Sequence, residues 1–278
     1  MSETLSVALL VRGPDVPAWQ ARAVETMLAR TDAEVTHVVE STEPTGGRKG
    51  GLGHYLDRVR EYPLWTPIGA AVRFGDPPAY ERPREVAAID GIGDPETLAV
   101  EPRPAPDFGN VLPDRAVQEL GEADVAVRFG FGILKGDALD APTHGVLSFH
   151  HGDLREYRGM PSGFWEYLEG EDAAGVTLQR LSEMLDGGEI VAYEPVDIAD
   201  TPTWAAVRRR LISVSDDVLV KGVRNVSAGV EPRSPDELGD LHSLPKGRDV
   251  LKYVLKEAKG RFGRVVDWPT GSAVPSRR

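Results

Sequence analysis

Two strand ends place a histidine and an aspartate where they could exchange protons. An apolar strand, Gly145 to Phe149, runs into His150-His151-Gly152, and a later one, Gly175 to Leu181, runs into Leu185-Asp186-Gly187-Gly188. An imidazole beside a carboxylate is an acid/base pair, in which the carboxylate fixes the tautomer and raises the basicity of the ring. Glycines next to both groups let a ligand approach the backbone closely. A third strand, Asp124 to Phe129, ends in Gly130-Phe131-Gly132. Ligands of open α/β sheets bind beyond the carboxyl ends of the strands, so these three ends are expected to share one site. Taken singly, each feature has a plainer reading. A strand-end histidine is commonly a capped polar group, and Asp186-Gly187 is commonly a turn.

Other chemistries are poorly served. His150 and His151 are strand neighbours and point to opposite faces, so they do not chelate one ion. The remaining histidines, His37, His54, His144 and His242, lack ligand spacing, and the chain has no cysteine. No metal site, disulfide or thiolate chemistry is therefore expected. Gly13, after the first strand, could receive a phosphate at a helix N-terminus. The glycine-rich Gly46 to Gly51 lacks the closing Lys-Ser/Thr of a phosphate loop and reads as a mobile loop. Neither G-x-G-x-x-G nor G-x-S-x-G occurs.

The elements that must position these residues follow an α/β pattern. Ser6 to Val11, a helix over Trp19 to Arg30, and Glu34 to Val39 make an opening β-α-β, the signature of a parallel, helix-covered sheet. A helix is expected from Tyr55 into Val72, an irregular proline-rich loop over Gly75 to Pro95, and a strand over Thr97 to Glu101. A helix over Pro113 to Leu120, an aromatic helix over Ser162 to Leu168 and a strand over Ile190 to Ile198 follow. Beyond Thr201, apolar residues from Trp204 to Leu219 recur at helical spacing. A loop over Gly229 to Pro245 and a helix over Arg248 to Arg261 complete the pattern, with a loose tail from Trp268. The expected organisation is a catalytic domain, residues 1–200, and a helical C-terminal extension, residues 201–278.

The formal net charge is −12, and only seven of the 32 basic residues are lysine. Such a surface argues against general nucleic-acid binding, which depends on neutralising phosphates. No apolar run approaches the length of a membrane span. The N-terminus lacks the features of a signal peptide, and a cytoplasmic protein is expected.

Three ordered motifs resemble the folate-dependent formyltransferases. ADVAVRFGFGIL resembles their strand and folate-pocket loop, GVLSFHHGDLREYRG is similar to their Gly-x-Ile-Asn-x-His signature, and GVTLQRLSEMLDGGEIV resembles their Gly-Val-Thr strand and Asp-x-Gly turn. The resemblance implies a Rossmann-like, mostly parallel twisted sheet flanked by helices, with a helical C-terminal appendage. It implies transfer of a formyl group from 10-formyltetrahydrofolate to an amine, without a metal. His150, Asp186 and Ser148 take the catalytic positions, Ser148 standing where the family has asparagine. Phe131, Gly132, Ile133, Leu134, Glu183 and Leu185 fall on the folate pocket, and Gly13, Arg158 and Gly159 on the acceptor side.

Among the acceptors of this family, the acidic charge and the helical C-terminus weigh against tRNA. The poor phosphate loop after the first strand weighs against glycinamide ribonucleotide. Gly239 to Pro245 looks like a segment of the amino-sugar enzymes, so a small, nucleotide-linked amino sugar is the favoured acceptor and a homodimer is compatible with it. The competing class is a non-catalytic folate- or nucleotide-binding protein on the same fold.

Overall fold

In the computed structural model of the chain, residues 4–43 and 59–266 are described. Their centre is a seven-stranded sheet built from β1 (Leu5–Val11), β2 (Ala33–Ser41), β3 (Glu96–Val100), β4 (Val125–Arg128), β5 (Val146–His150), β6 (Ala173–Arg180) and β7 (Glu189–Asp197). The spatial order is β7-β6-β5-β4-β1-β2-β3. Strands β5, β4, β1, β2 and β3 are mutually parallel, whereas β6 and β7 add an antiparallel edge. The sheet is thus mostly parallel, as the β-α-β opening predicts.

Alternation along β1 accounts for the layering. Leu5, Val7, Leu9 and Val11 join a core with α1 (Ala18–Arg30), while Ala8 and Leu10 face a second core with α3 (Asp114–Gly121). A strand covered on both faces needs apolar residues at every position, and β1 has nearly that.

The C-terminal helices belong to the first of these layers. α5 (Trp204–Ser213) and α6 (Ser215–Ser227) contribute Val207, Leu211, Val218, Leu219 and Val223 to the same core as β1 and β6. Where the sequence pattern predicts one helix, the chain bends at Val214 and forms two. Ser215, just beyond the bend, is fully buried and meets His151 Nε2 through its hydroxyl at 3.0 Å. Rings of Trp65 on α2 (Trp65–Phe74), Phe164 on α4 (Phe164–Glu169), Trp204 on α5 and Tyr253 on α7 (Arg248–Val266) pack at centroid distances of 5.3–6.1 Å.

Two expected loops carry structure. Within Gly75 to Pro95, Pro83–Glu85 pairs with Asp15–Pro17. Within Gly229 to Pro245, Asp240–His242 pairs in parallel with Tyr157–Gly159. The glycine-rich loop Gly46 to Gly51, the first part of the helix expected from Tyr55 and the tail from Trp268 lie outside the described residues. Among the described residues, no helix is long and apolar enough to cross a membrane.

Glu166 on α4 is 3% exposed, and among the described residues its Oε1 has no hydrogen-bond partner. Desolvation pushes its carboxyl up to about 7, with repulsion from Glu169, Glu156 and Asp153 adding to it. An acid whose pKa is higher folded than unfolded holds more protons in the native state. Its contribution is therefore complete below the ordinary carboxylate range and is lost as pH rises towards neutrality. The loss amounts to at most about 3 kcal/mol. Glu166→Gln is expected to flatten the decline in Tm between mildly acidic and neutral pH. A decline as steep as that of the parent protein would refute this assignment.

Candidate functional site

His150 closes β5 and is buried, with its ring held from two sides. Its Nε2 lies 2.9 Å from the Tyr157 carbonyl oxygen, and its Nδ1 lies 3.7 Å from Asp186 Oδ1. A carbonyl can only accept, so Nε2 carries a hydrogen, and Nδ1 is the nitrogen turned to the carboxylate. The 3.7 Å separation is too long for a hydrogen bond. Such contacts between catalytic groups often tighten only when substrate binds.

Asp186 does not reach His150 by standing at a neighbouring strand end, as the motif order suggests. β6 is antiparallel to β5, with Arg180 opposite Leu147 and Thr177 opposite His150. The carboxyl end of β6 therefore points away from that of β5, and the segment 181–188 folds back. Its turn puts Asp186 at φ 44°, a left-handed conformation that aspartate tolerates better than most residues. Gly159 N–H donates to Asp186 Oδ2 at 3.0 Å, so each carboxylate oxygen has a separate task.

The same return loop is fastened at further points. Lys135 Nζ donates to the Glu183 carbonyl at 2.8 Å and pairs with Glu183 Oε2 at 3.0 Å. Gly136 N–H donates to Glu183 Oε1 at 2.8 Å, and this bond, with the lysine, holds the Glu183 carboxyl below its ordinary value. Arg158 donates from Nε to the Gly239 carbonyl at 2.7 Å and from Nη1 to that of Leu185 at 3.4 Å. Arg158 is thus engaged in bracing the loop.

Phe131 is buried at φ 66°, an unusual backbone for a bulky residue, and its carbonyl accepts from Asn110 Nδ2 at 2.9 Å. Strain of this kind gathers at ligand sites and turns. Leu134 is buried behind it, while Gly132 and Ile133 are exposed. Ile133, Phe108 and Met184 are each exposed, with Lys135 Nζ 4.1 Å above the Phe108 ring.

Gly13 stands apart from the helix start expected to follow it. Asp15–Pro17 forms a strand between them, and the first amide of α1, Ala18, donates to the Arg82 carbonyl at 2.8 Å. That amide is not free for a phosphate. His151 points away from the site and lies against Trp19 and Phe149. Desolvation, with repulsion from His150 and Arg208, pushes it down to about 3, so it is neutral and structural.

The structure adds Arg128, which the motifs do not single out. Its guanidinium donates to Ser148 Oγ from Nε at 3.2 Å and from Nη2 at 2.8 Å, and from Nη1 to the Gly132 carbonyl. The only signal in the sequence is a lone cation closing the otherwise apolar run Val125–Val127. Tyr157 has no such signal, because it acts through its backbone carbonyl. The groups His37, Glu96 and Glu119 come within metal-binding reach of one another, away from this site. His37 pairs with Glu119 at 3.7 Å.

Gly159 adopts φ 91°, and a Cβ there would overlap the His242 carbonyl oxygen. Gly159→Ala is expected to open the 157–159/240–242 pairing and to release Asp186. A fall in Tm equivalent to about 1–3 kcal/mol is expected. A variant with unchanged Tm and unchanged activity would show that this close approach has no role.

Residues 108–223 match the family model described as Formyl transferase. A methionyl-tRNA formyltransferase of Syntrophus aciditrophicus is 34% identical over 115 residues, covering 41% of this chain and 37% of that protein. The enzyme of the same name from Natranaerobius thermophilus is 29% identical over 156 residues, covering 53% and 50% respectively. The chain therefore spans at most half the length of these two relatives. Among solved structures, an N-formyltransferase from Helicobacter canadensis in complex with folinic acid and dTDP-3-aminofucose superposes with TM-score 0.53. It is 10% identical and covers 93% of this chain and 82% of its own. Glycinamide ribonucleotide transformylase 1 from Symbiobacterium toebii superposes with TM-score 0.52 at 16% identity, covering 85% and 96%. At these identities the likeness is one of fold.

Proposed function

We propose, from the match of residues 108–223 to the formyl transferase family model, that this protein moves a formyl group from 10-formyltetrahydrofolate to the amine of a small acceptor. The observation that carries the reading is the approach of Asp186 to His150 Nδ1 within that segment. The amine nitrogen attacks the formyl carbon, and the carbonyl electron pair moves onto oxygen. Collapse of that oxyanion breaks the bond to the folate nitrogen, which leaves with the bonding pair. The proton lost by the amine is taken up at His150 Nδ1, with Asp186 stabilising the charge, and is passed to the departing nitrogen. The Tyr157 carbonyl keeps Nε2 protonated and so leaves Nδ1 to do this work.

The loop from Phe131 to Leu134, with Leu185 and the exposed side chains of Ile133, Phe108 and Met184, offers the apolar surface that a flat folate ring needs. Phe131, Gly132, Ile133, Leu134, Glu183 and Leu185 are the residues that the sequence motifs assign to this pocket. Glu183 serves it indirectly, by tying the two loops together through Lys135.

For the acceptor we favour an amino sugar carried on a nucleotide. A net charge of −12 opposes binding of a polyanion the size of tRNA. Methionyl-tRNA is the second reading, favoured by the names of the curated relatives, and glycinamide ribonucleotide the third. Incubation with 10-formyltetrahydrofolate and a panel of amino-sugar nucleotides, methionyl-tRNA and glycinamide ribonucleotide separates them by release of tetrahydrofolate. His150→Ala is expected to lower turnover roughly 10²–10⁴-fold without loss of folate binding. Folate binding without turnover on any amine would point to a binding protein, and absence of folate binding would defeat the reading outright.

A further inference from the structure

Ser148 and His150 are two residues apart on β5 and so project from the same face. Arg128 is the register partner of Ser148 on β4, which puts its side chain on that face as well. The serine oxygen accepts from two nitrogens of the guanidinium and is spent as an anchor. Gly132 takes a third donor. A guanidinium has five N–H groups, so one hydrogen remains on each terminal nitrogen.

The charge on this group is also uncommitted. Among the described residues no carboxylate pairs with Arg128, and Asp186 attracts it only at longer range. A half-buried cation without a carboxylate partner is costly in the resting protein, and perturbed charges of this kind gather at functional sites. Fixed donors beside a reacting carbonyl are most effective when they are held rigidly before the reaction begins. The two bonds to Ser148 and the one to Gly132 hold the guanidinium in this way. The small serine leaves the room that the guanidinium fills, and a longer amide at position 148 would contend for it.

We infer that Arg128, clamped by Ser148 and Gly132, is the catalytic donor that stabilises the negative oxygen formed when the amine adds to the formyl group. This rests on the formyl-transfer reading above. The guanidinium forms no bond to carbon and transfers no proton. It receives charge on the oxygen as the carbonyl pair moves there, and releases it when the carbonyl re-forms.

The test compares the parent protein with Arg128→Ala, Arg128→Lys, His150→Ala and the double variant Arg128→Ala/Ser148→Asn, each checked for folding by Tm. With 10-formyltetrahydrofolate and whichever amine of the panel is turned over, Arg128→Ala is expected to lower kcat roughly 10²–10³-fold. KM for the folate is expected to stay within about threefold, as befits an interaction made only in the transition state. Free guanidinium ion should restore part of the lost rate, and the double variant should exceed Arg128→Ala by roughly tenfold or more as the amide enters the vacated space. If Arg128→Ala does not fold, Arg128→Lys decides the matter, because lysine keeps the charge but not the fork. A kcat for the Arg128 variants near the parent value, alongside an inactive His150→Ala, overturns this inference alone. A change confined to KM also overturns it, since Arg128 would then hold an anion of the bound substrate. A parent protein that neither binds folate nor releases tetrahydrofolate overturns the formyl-transfer reading and this inference together.

Discussion

The Asp186 carboxylate is divided between two parts of the chain, one oxygen accepting from Gly159 N–H and the other facing His150 Nδ1. That division orders much of what surrounds it. The carboxylate has to arrive from a strand whose carboxyl end points the other way, so the segment 181–188 must double back. A doubled-back loop loses backbone freedom and needs fastenings. Lys135, Gly136 and Arg158 provide them, each using hydrogen bonds to backbone or carboxylate groups of the loop. The left-handed turn at Asp186 is the local cost of the same geometry.

The sheet supplies the fixed side of the site. β4 and β5 are central and parallel, their apolar residues enclosed on both faces, so Arg128, Ser148 and His150 start from a backbone with little freedom to shift. The movable side is made by loops. The histidine is set by secondary structure, and the aspartate is set by tertiary contacts.

That contrast explains what can be read from the residues alone. Strand ends at His150 and Gly130, the β-α-β opening and the helical spacing after Trp204 follow from period and punctuation, and they appear where expected, save that the last is broken into two helices at Val214. The direction of β6 does not follow, because a mostly buried strand of eight residues reads the same whichever way it is inserted. Asp240–His242 reads as loop, since a three-residue strand has too short a period to be seen. Its partner, Tyr157–Gly159, is far away in sequence. Arg128 carries no legible signal of its role because its meaning depends on Ser148 lying opposite, and register is not visible before the strands are paired. Gly13 precedes an expected helix start in the sequence, but a short intervening strand displaces that start.

The pairing of Tyr157–Gly159 with Asp240–His242 also bears on how this architecture can vary. His242 stacks between Tyr157 and Trp165, and the Gly239 carbonyl holds Arg158. Residues remote from the motif-bearing half therefore underpin the carbonyl that orients His150 and the amide that holds Asp186. An exchange of everything beyond the sheet for another C-terminal module would remove that support from His150 and Asp186. The segment 240–242 is in this sense part of the wall behind the histidine, although it lies some ninety residues further along the chain.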